Sequence, residues 1–101
     1  SPVASRSPVA SMEGPTGSAD EPSAFDEGRR LFLANDLAGA IREFEAARRA
    51  QPDRAAVYKE LGRAHMRAGH LSQARSAYQR YLELAPDADD RAIVERLLEG
   101  R

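Results

Sequence analysis

The chain repeats itself at a displacement of 34 residues. That shift places Gly28 on Gly62, Asn35 on Gly69, Leu37 on Leu71, Ala40 on Ala74, Phe44 on Tyr78 and Pro52 on Pro86. Six physically matched pairs at a single offset define a repeat. A unit of this length cannot bury its apolar face alone, so stability requires that successive units stack and share one continuous core. With 101 residues, the chain is long enough for one such core and too short for two independent ones.

The apolar pattern inside each unit is helical. Ser23 with Asp26 three residues on resembles a capping box, and Phe25, Leu31, Phe32 and Leu33 follow before a break at Asn35-Asp36. Leu37, Ala40, Ile41, Phe44 and Ala47 recur at three-and-four spacing up to Pro52-Asp53, where Asp53 is expected to cap the next helix. Tyr58, Leu61, Gly62, His65 and Met66 mark a third helix ended by Gly69-His70. Leu71, Ala74, Tyr78, Tyr81, Leu82 and Leu84 mark a fourth ended by Pro86. A fifth is expected from about Ala88 to Glu99, through Ile93, Val94, Leu97 and Leu98. No segment sustains a period of two, so the expected fold class is all-α, with about five helices.

Residues 1–22 read differently. They hold Pro2, Pro8, Pro15 and Pro22 with Gly14 and Gly17, lack any aromatic residue, and repeat the pentapeptide Ser-Pro-Val-Ala-Ser at Ser1 and Ser7. Such a segment buries too little apolar surface to offset its ordering entropy, so it is expected to be a disordered linker or tail. The organisation expected is therefore a tail over 1–22 and a helical domain over 23–101, excised from a longer protein. The first unit falls at about 21–54, the second at about 55–88 and a closing helix at about 88–99.

The second unit reads Tyr58-x-x-Leu61-Gly62-x-x-His65, then Ala74-x-x-x-Tyr78 and Pro86. It resembles the tetratricopeptide repeat, or TPR, whose pattern is aromatic-x-x-Leu-Gly-x-x-Tyr, Ala-x-x-x-Phe and Pro. The resemblance covers about Ser23 to Arg101 and implies an antiparallel helix-pair solenoid of two repeats closed by a capping helix. It implies that Gly28, Gly62, Ala40 and Ala74 sit at close helix crossings, while Phe44 and Tyr78 fill the space between neighbouring units. Ala24 and Glu27 stand where the motif has an aromatic and a Leu, and His65 stands where it has Tyr. The first unit is thus degenerate at its leading edge.

Little in the sequence points to chemistry. There is no cysteine, which removes thiolate zinc sites, disulfides and cysteine nucleophiles. His65 and His70 lie five apart outside any His-Glu-x-x-His arrangement, so no metal site is expected. Ser72 and Ser76 lie in no Gly-x-Ser-x-Gly elbow, and no phosphate-binding loop occurs, so neither catalysis nor a cofactor is expected. Fifteen basic residues face sixteen acidic ones, a balance that argues against nucleic acid and anionic membranes as partners. No apolar run reaches the roughly 20 residues that span a bilayer. With no signal segment either, the expected location is cytoplasmic. Every basic residue but Lys59 is Arg, and this bias, with abundant Ala, suggests a GC-rich bacterial source. Glu43, Glu45, Arg48 and Arg49 fit a solvated, ion-paired helix face.

In TPR proteins the first helices of successive units line a concave surface. The resemblance carries that role to Phe25, Arg29, Phe32 and Leu33 in the first unit and to Lys59, Arg63, Met66 and Arg67 in the second. Lys59 and Arg63 resemble part of the carboxylate clamp with which some TPR domains hold a chaperone's C-terminal peptide. The clamp's asparagines are missing, with Arg29 at the first of their positions and Arg63 at the second. The expected function is a non-enzymatic protein-interaction module that binds a protein or acidic peptide in this groove. The alternative is weak self-association, or docking onto the parent protein as the C-terminal tail of a signalling, motility or secretion component.

Overall fold

The computed structural model describes residues 23–99, so the expectation of a disordered tail over 1–22 lies outside the described residues. Five helices account for the regular structure: α1 Ala24–Leu33, α2 Leu37–Ala50, α3 Ala55–Ala68, α4 Leu71–Leu84 and α5 Arg91–Leu98. There is no strand among the described residues. The heaviest packing joins α3 to α4 and α1 to α2, followed by α2 against α3 and, more lightly, α4 against α5. Short connections make each heavily packed pair an antiparallel hairpin, and the α2–α3 contact stacks one hairpin on the other.

The 34-residue period is visible in the backbone itself. Asn35 (φ 65°) and Gly69 (φ 84°) occupy equivalent positions, and both are left-handed. Asn and Gly are the residue types that enter this region at least cost. The same pair of turn hydrogen bonds accompanies each. His70 N–H donates to the His65 carbonyl at 2.8 Å and Gly69 N–H to Met66 at 3.1 Å; Asp36 N–H donates to Leu31 at 2.8 Å and Asn35 N–H to Phe32 at 3.0 Å. Both hairpins are therefore closed by one Schellman-type turn.

The helix starts are less uniform. Ser23 Oγ accepts from Asp26 N–H at 3.1 Å and lies at the same distance from the Asp26 carboxylate. Asp36 is a cap that sequence reasoning passed over as part of a break: its carboxylate accepts from Gly39 N–H at 3.0 Å. Asp53 does not cap α3. The Pro52-Asp53 turn carries Arg54 N–H back to the Gln51 carbonyl, and Arg54 becomes the N-cap with no side-chain hydrogen bond. The fifth helix starts at Arg91 rather than near Ala88, because successive turns join Ala88 N–H to Ala85 and Arg91 N–H to Ala88.

Packing explains the two conserved spacings within the units. A Cβ added to Gly28 would lie 2.6 Å from the Phe44 ring, and one added to Gly62 would lie 2.8 Å from the Tyr78 ring. Each aromatic is laid flat on the glycine of its own hairpin, which the expectation of purely inter-unit filling did not include. Phe44 nevertheless joins Phe25, Phe32, Val57 and Leu61 in one core that runs through both hairpins. Tyr58, Tyr78, Tyr81 and Val94 form a second core that ties α5 to the α3–α4 hairpin. Of the four large apolar residues of α5, Val94 is 2% exposed and Leu98 partly buried, but Ile93 is 66% and Leu97 41% exposed. An eight-residue helix turns only one stripe inward, so half of the set expected to cover the second unit faces outward.

Candidate functional site

The residues expected to line a groove divide into three environments. Phe25 and Phe32 are buried in the first core. Their rings are covered by arginine side chains and leave little free surface. Arg29 and Arg54 hold their guanidiniums 5.8 and 4.2 Å from the Phe25 ring centre, and the ring packs 6.0 Å from Phe44. Arg54, on the loop entering α3, was not singled out by the sequence pattern.

The second environment is the junction of α1 with α3. Arg63 and Arg67, four apart on α3, place their guanidiniums 5.2 and 4.8 Å from the centre of the Phe32 ring of α1. Both are exposed. A guanidinium held over an aromatic face keeps N–H donors with which it can hold a carboxylate. Arg63 has a long contact to Glu60, 3.4 Å. Among the described residues, neither Arg29 nor Arg67 has an ion-pair partner. Leu33, 82% exposed, ends α1 one residue beyond Phe32, whereas Met66 is partly buried against the second core.

Lys59 belongs to a third environment. Its ammonium lies 2.6 Å from the Asp90 carboxylate, at the N-cap of α5. The other oxygen of Asp90 accepts the Tyr81 hydroxyl at 2.6 Å. Lys59 and Tyr81 hold the Asp90 carboxyl below its ordinary range. Burial, reinforced by Asp90, pushes the Tyr81 phenol up to about 12. The structure thus brings Phe32, Arg63 and Arg67 together and engages Lys59 elsewhere. Asp90 stands at the N-cap of the closing helix α5, outside the six matched pairs, so the repeat comparison contained no signal for it.

The two histidines also meet. The Schellman-type turn brings His70 beneath the end of α3, and the two Nδ1 atoms lie 3.1 Å apart. Burial first, and the neighbouring His70 second, hold the His65 imidazole below its ordinary pKa, with Glu45 opposing. His65 is therefore neutral at neutral pH, one ring nitrogen donating to the other. Among the described residues no three His, Asp or Glu side chains converge as metal ligands, and no helix is long and apolar enough to cross a membrane. A sequence model described as Tetratricopeptide repeat matches residues 25–89, more than half of the chain.

Proposed function

Because the chain belongs to the tetratricopeptide repeat family, a non-catalytic fold whose repeats generally mediate protein–protein contact, we propose that it holds an acidic partner peptide against the face formed by α1 and α3. The observation that carries this reading is the pair of exposed guanidiniums, Arg63 and Arg67, stacked on Phe32. Arg29 adds a third cation on α1, and Leu33 and the edge of Met66 supply apolar contact. The favoured ligand carries carboxylates interspersed with large apolar side chains. The balanced charge of the chain argues against nucleic acid as the partner, and the Arg and Ala bias supports a bacterial source.

Titration of the chain with an acidic, Leu-containing peptide tests the reading. Arg63→Ala should weaken binding by about 1.5 kcal/mol, near the lower limit for hydrogen bonds to charged groups because the side chain is half exposed. Affinity should also fall with added salt. Arg49→Ala, on the exposed side of α2, should change little. Binding insensitive to Arg63, Arg67 and salt would reject the reading. One observation favours the alternative of self-association or parent docking: Ile93 and Leu97, four apart, form an exposed apolar pair on α5. Sedimentation of Ile93→Ser beside the unsubstituted chain distinguishes it, since only self-association through α5 predicts a concentration-dependent mass that the substitution abolishes.

A further inference from the structure

Two pairs of arginines lie over the two phenylalanines of α1. Arg29 and Arg54 stand 5.8 and 4.2 Å from the Phe25 ring centre, and Arg63 and Arg67 stand 5.2 and 4.8 Å from that of Phe32. Phe25 and Phe32 are seven residues apart on α1, which offsets the two pairs by about 10 Å at the helical rise of about 1.5 Å per residue. All four arginines are exposed. Their charge is poorly matched: Arg63 has its 3.4 Å contact to Glu60 and Arg54 donates to the neutral Gln51 side chain at 2.9 Å. Among the described residues no carboxylate pairs with Arg29, Arg54 or Arg67. The face therefore carries an excess of positive charge, although the net charge of the chain is -1.

A run of opposite sign adjoins this face in the same chain. Ser23 is the N-cap of α1 and stands two residues before Phe25. Residues 12–21, outside the described residues, contain Glu13, Asp20 and Glu21 and no basic residue. Asp20 and Glu21 are within three residues of Ser23, a reach of about 10 Å at about 3.3–3.6 Å per residue. Arg29 is six residues along α1 from Ser23, about 9 Å at the helical rise, so the first pair is within range. Glu13 is a further seven residues from Ser23, or about 24 Å of extended chain, more than the offset between the pairs. A segment so tethered has an effective concentration of millimolar order at the face, and exposed ion pairs too weak to capture a free peptide suffice to hold it.

We propose that residues 12–21 occupy the α1–α3 face of their own chain, with Asp20 and Glu21 at Arg29 and Arg54 and Glu13 at Arg63 and Arg67. The inference rests on the reading of this face as an acidic-peptide site and adds its regulation: a partner binds by displacing the internal segment.

The test uses the full chain. Because the sequence has no cysteine, Thr16→Cys accepts a single nitroxide between Glu13 and Asp20. In the 15N-labelled chain at about 25 mM salt, the nitroxide should lower the amide intensities of Arg63 and Arg67 at least twofold relative to its reduced form, and at about 0.5 M salt this effect should vanish. Glu95, on α5, should be unaffected. The triple variant Glu13→Gln, Asp20→Asn, Glu21→Gln keeps the tether and the label and should lose the broadening at Arg63 and Arg67; Arg29→Ala with Arg67→Ala should lessen it from the other side. Equal broadening in the charged and neutralised chains overturns the proposal, since proximity would then come from the tether alone. Broadening between spin-labelled unenriched chains and 15N-labelled chains without nitroxide would place the segment on a second copy, and overturns it as well. Titration with Ac-Leu-Glu-Asp-Leu-Glu-NH2 separates this inference from the reading it rests on. The neutralised chain should bind that peptide at least threefold more tightly than the unsubstituted one, and equal measurable affinities would show that the segment leaves the arginines free. No binding to either chain rejects the partner reading alone, and the broadening still decides the internal contact.

Discussion

Lys59 Nζ and Asp90 Oδ2 stand 2.6 Å apart and join the second repeat to the N-terminus of α5. The contact engages the one lysine of the chain internally, and the same carboxylate anchors the Tyr81 hydroxyl. It therefore serves as the polar counterpart of the Tyr58–Tyr78–Tyr81–Val94 core. Asp90→Asn removes the ion pair while keeping an acceptor for Tyr81. Lys59 is partly exposed, so the cost in stability should be about 0.5–1 kcal/mol, read from the urea midpoint. The same substitution frees Lys59, and affinity for an acidic peptide on the α1–α3 face should rise.

The Asp90 carboxyl also predicts an acid-side effect. Its pKa is lowered on folding by Lys59 and Tyr81, so its contribution is fully present above the unfolded value of 3.8 and is lost as pH falls through the folded value. Below about pH 4, the stability of the unsubstituted chain should fall more steeply than that of Asp90→Asn. Parallel curves from acid titrations followed by circular dichroism would contradict this.

Gly62→Ala sets two effects against each other. Alanine favours a helix interior by about 1 kcal/mol over glycine, but its Cβ would meet the face of the Tyr78 ring at 2.8 Å, and overpacking costs about 1–3 kcal/mol. The expected net result is destabilisation. Combining Gly62→Ala with Tyr78→Leu should cost less than the sum of the single changes, because the two share one contact. A double-mutant cycle with no coupling energy would show that the crossing is not limiting.

His65 gives a second pH dependence in a different window. Its pKa is lowered from 6.5 by burial and by His70, so the unfolded chain binds the proton more readily. The stability associated with neutral His65 is complete above about pH 6.5 and declines as pH falls through the folded value. Thermal melts at pH 7.5 and 5.5 should differ more for the unsubstituted chain than for His65→Gln.

The two stripes of α5 should respond in opposite ways. Val94→Ala deletes two fully buried methyl groups and should cost about 2 kcal/mol, transfer and cavity contributions included. Ile93→Ser, at a position 66% exposed, should fall within about 0.5 kcal/mol of zero. Equal effects in chemical denaturation would mean that α5 does not close the second core through Val94.

The fold was legible in the sequence to an unusual depth, because a repeat states each structural requirement twice. The pairing of Asn35 with Gly69 marks two left-handed turns, and Gly28–Phe44 with Gly62–Tyr78 marks two crossings where only hydrogen fits under a ring. These are local rules: spacing on a helix and the φ of one residue follow from the residues themselves. Tertiary structure decided which side chains meet across elements. Nothing at Lys59 foretells Asp90, since the partner lies beyond the two matched units, at the start of the closing helix. The stacking of Arg63 and Arg67 on Phe32 depends on how closely α3 settles beside α1. The cleft lined by Arg48, Leu61 and Ser76 opens where the backbones of α2 and α4 settle apart beside α3. Periodicity records which stripe of a helix is apolar, whereas the distance between helices, and with it the pairing or exposure of each charge, is set by the packing of all of them together.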